Sequence, residues 1–173
     1  RAPWVLPKPD AGYARGNQTL FDTTLGWRMV NPRMEASHGA LALGMTAELV
    51  AQRCKVSREA QDEWAVVSQS RAVDAVQSGH FDREIVPGVL DDGTEVSKDD
   101  GPRASSTLEK LSELPEAFGG GGVTAGNSCP LNDGAAAVLV MSDEKAERLG
   151  LKLRAPIIAS TVAAIRPEIM GLG

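Results

Sequence analysis

The sequence has little of what metal and thiol chemistry needs. Among 173 residues there are two cysteines, Cys54 and Cys129, and two histidines, His38 and His80. Two thiols so far apart give neither a disulfide framework nor a C-x-x-C redox pair, which fits a reducing, cytoplasmic setting. Neither histidine stands in an H-x-x-x-H or H-x-x-E pattern, so no metal site is expected. Long apolar runs are missing as well. The longest, residues 135–141, falls far short of the roughly 20 residues that span a bilayer, so no membrane partner is expected. There is no stripe of basic residues: Lys and Arg number 18 against 23 Asp and Glu, a net charge of -5, which argues against nucleic acid as a partner.

What is present is ordinary globular material. Apolar residues make up 42% and charged residues 24%, which excludes a disordered tail or a fibrous protein, and the length allows one domain or pieces of two. The chain opens at Arg1 and stops in the apolar, Gly-rich run Ile169-Met170-Gly171-Leu172-Gly173, so it reads as an interior piece of a longer protein.

Four of the ten prolines, Pro3, Pro7, Pro9 and Pro32, fall in residues 1–40 with Gly12, Gly16 and Gly26, which predicts a long loop there. From Met45 the spacing turns helical, with Thr46 as N-cap and Ala47, Val50, Ala51 and Cys54 on one face. Ser57 is the N-cap of a second helix, with Glu59 in its first turn and Gly79 closing it. Projected at about 100° per residue, Ala60, Trp64, Ala65, Ala72, Ala75 and Val76 form its buried arc, and Asp62, Glu63, Ser70, Asp74 and Gln77 its wet side. Residues 84–90 read as a short edge strand carrying Pro87, returned through Asp91-Asp92-Gly93 into Thr94-Glu95-Val96. Gly119 to Gly122 read as a flexible joint. Beyond it, residues 135–141 fit a strand buried on both faces, Ser142 caps a short helix ended by Gly150, and residues 155–164 fit a further strand.

The chemistry legible from residue types alone is sparse. Cys54 lies on the apolar face of its helix, where burial raises a thiol's pKa and blocks access, so packing is its expected role. Cys129, among Gly126, Asn127, Ser128 and Pro130, is better placed to face a ligand, yet no base stands near it in the sequence. The four glycines at 119–122 are followed by no Lys-Ser or Lys-Thr and by no helix of the right kind, which argues against a P-loop or Rossmann phosphate cradle. His80, just past the helix end at Gly79, suits a dipole partner, and His38 a surface loop.

Ordered blocks carry the stronger signal. Gly44-Met45-Thr46-Ala47-Glu48, Ser57-Arg58-Glu59-Ala60-Gln61-Asp62-Glu63 and Phe81-Asp82-Arg83-Glu84-Ile85-Val86-Pro87 closely resemble the inserted loop domain of thiolases. Val123-Thr124-Ala125-Gly126-Asn127, Leu131-Asn132-Asp133-Gly134-Ala135-Ala136-Ala137 and Ile169-Met170-Gly171-Leu172-Gly173 resemble that family's successive signatures in family order. Phe21-Asp22-Thr23-Thr24-Leu25-Gly26-Trp27 and on to Met34 are similar to members acting on 3-oxoacyl-CoA and 3-oxoadipyl-CoA.

The resemblance implies an α/β, thiolase-like layered fold in partial form, the loop domain plus parts of both halves. Residues 1–122 would be the loop domain, a lid over the active-site mouth; 123–152 the end of the N-terminal half; and 153–173 the start of the C-terminal half. The implied activity is acetyl-CoA C-acyltransferase, in a homodimer or homotetramer when intact, with acyl-CoA or CoA as partner, coenzyme A as substrate and no cofactor. The family's nucleophilic Cys would precede Arg1, and its His and acid/base Cys would follow Gly173. No catalytic residue is therefore expected within the chain, and it should be inert alone. By the same resemblance Arg103 matches an arginine at the adenine and phosphate end of CoA, and Phe118, Ala125 and Met170 match the pantetheine path. Leu43 falls where many members carry a Met near the acyl chain. Ser128-Cys129-Pro130 departs from the usual Ala-Ser-Gly, a change similar to lipid- or steroid-degrading members of actinobacterial type. Cys129 becomes a candidate pocket residue whose thiol donates a weaker hydrogen bond than the usual hydroxyl. The competing expectation is a non-catalytic acyl-CoA or lipid-carrier relative of the same fold.

Overall fold

The computed structural model describes residues 2–9, 12, 13 and 15–173. Near the N-terminus, Trp4–Val5 (β1) and Phe21–Asp22 (β2) pair antiparallel, with Trp4 opposite Asp22 and Val5 opposite Phe21. Thr23 closes the pair, donating from both amide and hydroxyl to the Pro3 carbonyl. Helix α1, Pro32–His38, follows Asn31, whose Oδ1 accepts from Arg33 N at 3.0 Å. Pro32 sits in the first turn, where its missing N–H would have had no helical partner. The predicted long loop is thus broken by a strand pair and a helix, and His38 lies in that helix's last turn, not in a loop.

Helix α2, Leu43–Cys54, starts after Ala42, which offers no side-chain cap. Thr46 is not the N-cap predicted for it: it is buried within the helix, its hydroxyl donating to the Leu43 carbonyl at 2.7 Å. The face assigned to the core is also corrected. Ala47 and Cys54 are exposed, Val50 and Ala51 half-buried, and the buried positions are Thr46 and Glu48.

Helix α3, Arg58–Gln77, keeps its predicted ends. Ser57 Oγ accepts from Ala60 N at 3.1 Å, and Glu59 stands in the first turn. At the other end His80 N reaches Ala75 O at 3.0 Å and Gly79 N reaches Val76 O at 3.1 Å. That exit needs φ of 72° at Gly79, which a Cβ would strain. His80 then stacks edge-on against Phe81. The buried side of α3 differs from the predicted one: Asp62 is 1% exposed, whereas Ala60, Val76 and Trp64 are exposed, Trp64 by 66%. Of the predicted arc only Ala65 is fully buried.

Gly88–Val89 (β3) and Glu95–Val96 (β4) form the predicted hairpin in shorter form, wholly exposed. Its turn is fixed by Leu90 N to Thr94 O at 2.9 Å and Thr94 N to Asp92 Oδ1 at 2.8 Å. Bonds from Thr94, the one from its backbone N–H contributing most and then the one from its side chain, hold the Asp92 carboxyl below its usual value. Helix α4, Leu108–Ser112, capped by Thr107, was not predicted. Helix α5, Asp143–Arg148, was: Ser142 Oγ accepts from Lys145 N, and Gly150 closes it. A 3-10 helix, Pro167–Leu172, completes the chain and packs on α2, burying Ile169.

Two predicted strands do not form. Residues 135–141 and 155–164 form no regular element, and Val138, Leu139, Ile158 and Val162 are each at least 80% exposed. A strand apolar on both faces needs neighbours to pair its N–H and C=O groups. Among the described residues no strand runs beside either segment. Most of the buried groups gather instead where α2, α3 and α4 meet the segment 122–124, with Leu111, Val123 and Ala65 joined by Glu48, Asp62 and Thr124. Among the described residues no helix is long and apolar enough to cross a membrane.

Candidate functional site

The polar groups buried at that junction explain the inverted faces of α2 and α3. Segment 119–127 turns with little ladder of its own beyond one bridge between Glu116 and Thr124, so side chains must meet its backbone donors. Glu48, from α2, accepts from Val123 N at 2.7 Å and from Gly122 N at 3.1 Å. Thr124 N donates to Asn127 Oδ1 at 2.8 Å and Gly126 N to Thr124 Oγ1 at 3.2 Å. Asn127 Nδ2 in turn donates to the Gly122 carbonyl at 2.8 Å and to Asp62 Oδ1 at 2.9 Å.

From α3, Arg58 completes the cluster. Its Nε pairs with Asp62 Oδ2 at 2.7 Å, and the guanidinium also reaches the Leu111 and Leu114 carbonyls at the end of α4 at 2.6 and 3.2 Å. One buried carboxylate thus ties α3 to α4 through Arg58 and to the loop through Asn127. Charge-assisted bonds of this kind are the stronger class, and they offset the cost of burying Asp62. The flexible joint predicted at 119–122 is therefore corrected: a Cβ on Gly120 would stand 2.5 Å from the Glu48 side chain, and one on Gly122 2.7 Å from Gln61 Nε2. The glycines let the chain press against these two side chains. None of Glu48, Asp62, Arg58 or Asn127 was singled out from sequence for this role. The signals in the sequence are an acid on the helix side that hydropathy assigns to solvent, an Arg58–Asp62 pair at i,i+4 spacing, and Asn127 at the end of the Val123–Asn127 block.

Of the six predicted ligand residues, Phe118 lies against the first turn of α2, which Leu43 begins. Leu43 is 70% exposed, and the half-buried Phe118 ring lies against the next residue, Gly44, where an added Cβ would overlap the ring. Met170, 52% exposed, sits on the 3-10 helix that packs on α2. Ala125 is exposed at the crest of the anchored loop, and Cys129 is exposed just beyond it. Arg103 is exposed near α3, its backbone N–H donating to Gln69 Oε1 at 2.7 Å. Two clefts open at the helix junction. One of about 370 Å³ lies between the α2–α3 corner and Gly120–Gly122; another of about 530 Å³ lies between α3 and α4. None of the six residues lines either. The Glu168 carboxyl, beside Met170, is held below its ordinary value, chiefly by a bond from its own backbone N–H and then by Arg166 and the α2 residue Arg53.

Comparison with known proteins gives the arrangement a context. The model of the thiolase N-terminal domain matches residues 8–144. The β-ketoadipyl-CoA thiolase of Acinetobacter baylyi is 44% identical over 180 residues, covering 99% of this chain and 44% of that protein. The 3-oxoadipyl-CoA/3-oxo-5,6-dehydrosuberyl-CoA thiolase of Escherichia coli is 44% identical over all of this chain and, again, 44% of its own length. Among solved structures, the acetyl-CoA acetyltransferase of Bacillus anthracis superposes with a TM-score of 0.76 at 37% identity, covering 99% of this chain and 43% of that one. The dimeric peroxisomal thiolase of Saccharomyces cerevisiae gives 0.72 at 36% identity, covering 84% and 39%. The chain spans less than half the length of the relatives it matches, and its fold is a partial thiolase fold. It belongs to the thiolase family.

Proposed function

We propose that these residues form the lid and the middle of an acetyl-CoA C-acyltransferase that exchanges an acyl group between a 3-oxoacyl-CoA and coenzyme A. The single observation behind this is the 44% identity carried through 99% of the chain to a β-ketoadipyl-CoA thiolase. In this reading residues 1–122 are the loop domain, 123–152 close the N-terminal half and 153–173 open the C-terminal half. The reacting cysteines and histidine belong to parts of the polypeptide outside these residues. A cysteine thiolate adds to the C3 ketone, the C2–C3 bond breaks, and the departing acetyl-CoA enolate takes up a proton. The thiol of coenzyme A then removes the acyl group from the cysteine. These 173 residues supply recognition, not the nucleophile, and are inert on their own.

Arg103 holds the adenine and phosphate end of coenzyme A, where a planar guanidinium makes paired contacts. Phe118, Ala125 and Met170 line the pantetheine, with Cys129 and Leu43 nearer the acyl group. The names of the closely similar relatives favour a 3-oxoadipyl-CoA-type substrate. The Ser128-Cys129-Pro130 departure keeps longer-chain and steroid-side-chain 3-oxoacyl-CoA as the alternatives to be compared. The test is thiolysis by the protein at its natural length. With 3-oxoadipyl-CoA and coenzyme A, the expected products are succinyl-CoA and acetyl-CoA. Coenzyme A binding without cleavage of any of the three substrates would favour a non-catalytic carrier, and an Arg103→Ala variant with unchanged coenzyme A affinity would remove that residue from the site.

A further inference from the structure

The loop that presents Ala125 owes its shape to side chains buried beneath it. Glu48 and Asp62 are 2% and 1% exposed, Thr124 fully buried, and the two carboxylates hold the segment from opposite helices. Asn127 is the pivot. An ionised carboxylate only accepts, so Asp62 turns the NH₂ of Asn127 toward itself and the Gly122 carbonyl, leaving Oδ1 for the Thr124 N–H. The opposite amide orientation would set oxygen against oxygen twice and N–H against N–H once. Arg58, bonded to the other Asp62 oxygen, keeps that carboxylate from rotating away. No buried side-chain polar atom among the described residues is left without a partner, so the cluster admits one arrangement.

From this geometry we propose that Asp62, acting through Asn127, and Glu48, acting on Gly122 and Val123, are positioning residues for coenzyme A. They fix the backbone on either side of Ala125 so that it is preformed before the pantetheine arrives. This deepens the assignment of Ala125 to the pantetheine path and rests on it. A preformed loop spares the ligand the cost of ordering it, so loosening the cluster raises KM for coenzyme A more than it lowers kcat.

The discriminating variant is Asn127→Asp in the natural-length protein. It keeps the size and the acceptor for Thr124 N–H, and it sets an oxygen against both Asp62 and the Gly122 carbonyl. Coenzyme A affinity, measured by calorimetry beside the melting temperature, should fall about tenfold. Adding Asp62→Asn restores a donor between the two positions and should recover most of the loss. A lower melting temperature with unchanged coenzyme A affinity would show a purely structural cluster and overturn the proposal. Should Asn127→Asp not fold, Glu48→Gln serves in its place: it keeps one acceptor oxygen of two, and affinity should fall about threefold to fivefold, with no change overturning the proposal. If the unmodified protein binds no coenzyme A, the pantetheine assignment itself fails and takes the proposal with it. Binding by the unmodified protein that neither variant weakens defeats the positioning role alone.

Discussion

Gly44 shows how a single missing side chain sets a contact. In an exposed helix, Gly→Ala stabilises by up to about 1 kcal/mol. Here the Phe118 ring occupies the space, so Gly44→Ala forces the ring outward, an overpacking cost of about 1–3 kcal/mol. Urea unfolding should show a net loss for Gly44→Ala in the native background and a gain once Phe118→Ala has emptied the space. The same sign in both backgrounds would contradict the contact. Asp92 gives a second test at this scale. Its carboxyl lies below the ordinary 3.8 because the folded hairpin donates to its charged form. Its contribution is therefore complete above the ordinary value and lost as pH falls through the lower folded one. The Thr94 amide shift should titrate with a midpoint below 3.8; a midpoint at or above it would show that the turn bond is not made.

At the scale of elements, the helices depend on caps and on the polar cluster to different degrees. Ser57→Ala removes one cap bond and should cost about 1 kcal/mol. Asp62→Ala removes the acceptor of Arg58 Nε and one of the two acceptors of Asn127 Nδ2. Breaking a buried pair costs about 3–5 kcal/mol, reduced here to about 2–3 because water can reach Arg58. Thermal or urea unfolding that ranks Ser57→Ala as the more damaging change would contradict the cluster's role in joining α3, α4 and the loop. The same contrast explains what was legible in the sequence. The ends of α3 and α5 could be read because capping is local: Ser57, Ser142, Gly79 and Gly150 act on residues a few positions away. The cap at Thr107 and the Asn31-Pro32 start are equally local signals, beyond those read from the sequence above. The buried side of α3 could not be read from hydropathy, because Asp62 is drawn inward by Arg58, its neighbour in the helix, and by Asn127, far along the chain. Residues 135–141 and 155–164 read as strands because their composition is that of strands. Hydropathy records what a segment would bury, not whether a partner is at hand.

The whole molecule exposes 14829 Å², where a compact monomer of 18.2 kDa would expose about 8,100 Å². That excess, and the bare Val138, Leu139, Ile158 and Val162, describe a chain whose apolar segments await cover. In keeping with this, it covers 44% of the Acinetobacter baylyi thiolase and 43% of the Bacillus anthracis enzyme. The family blocks were legible in the sequence where the fold's closure was not, since they are contiguous and closure involves surfaces the 173 residues do not bury. The most direct test of the account is hydrogen exchange of the natural-length protein with and without coenzyme A. Slowed exchange at residues 101–105, 118–127 and 168–172 is the predicted footprint. Saturating coenzyme A that leaves all three segments unchanged, or protects only other parts of the chain, would contradict the proposal that these segments and the anchored loop hold the ligand.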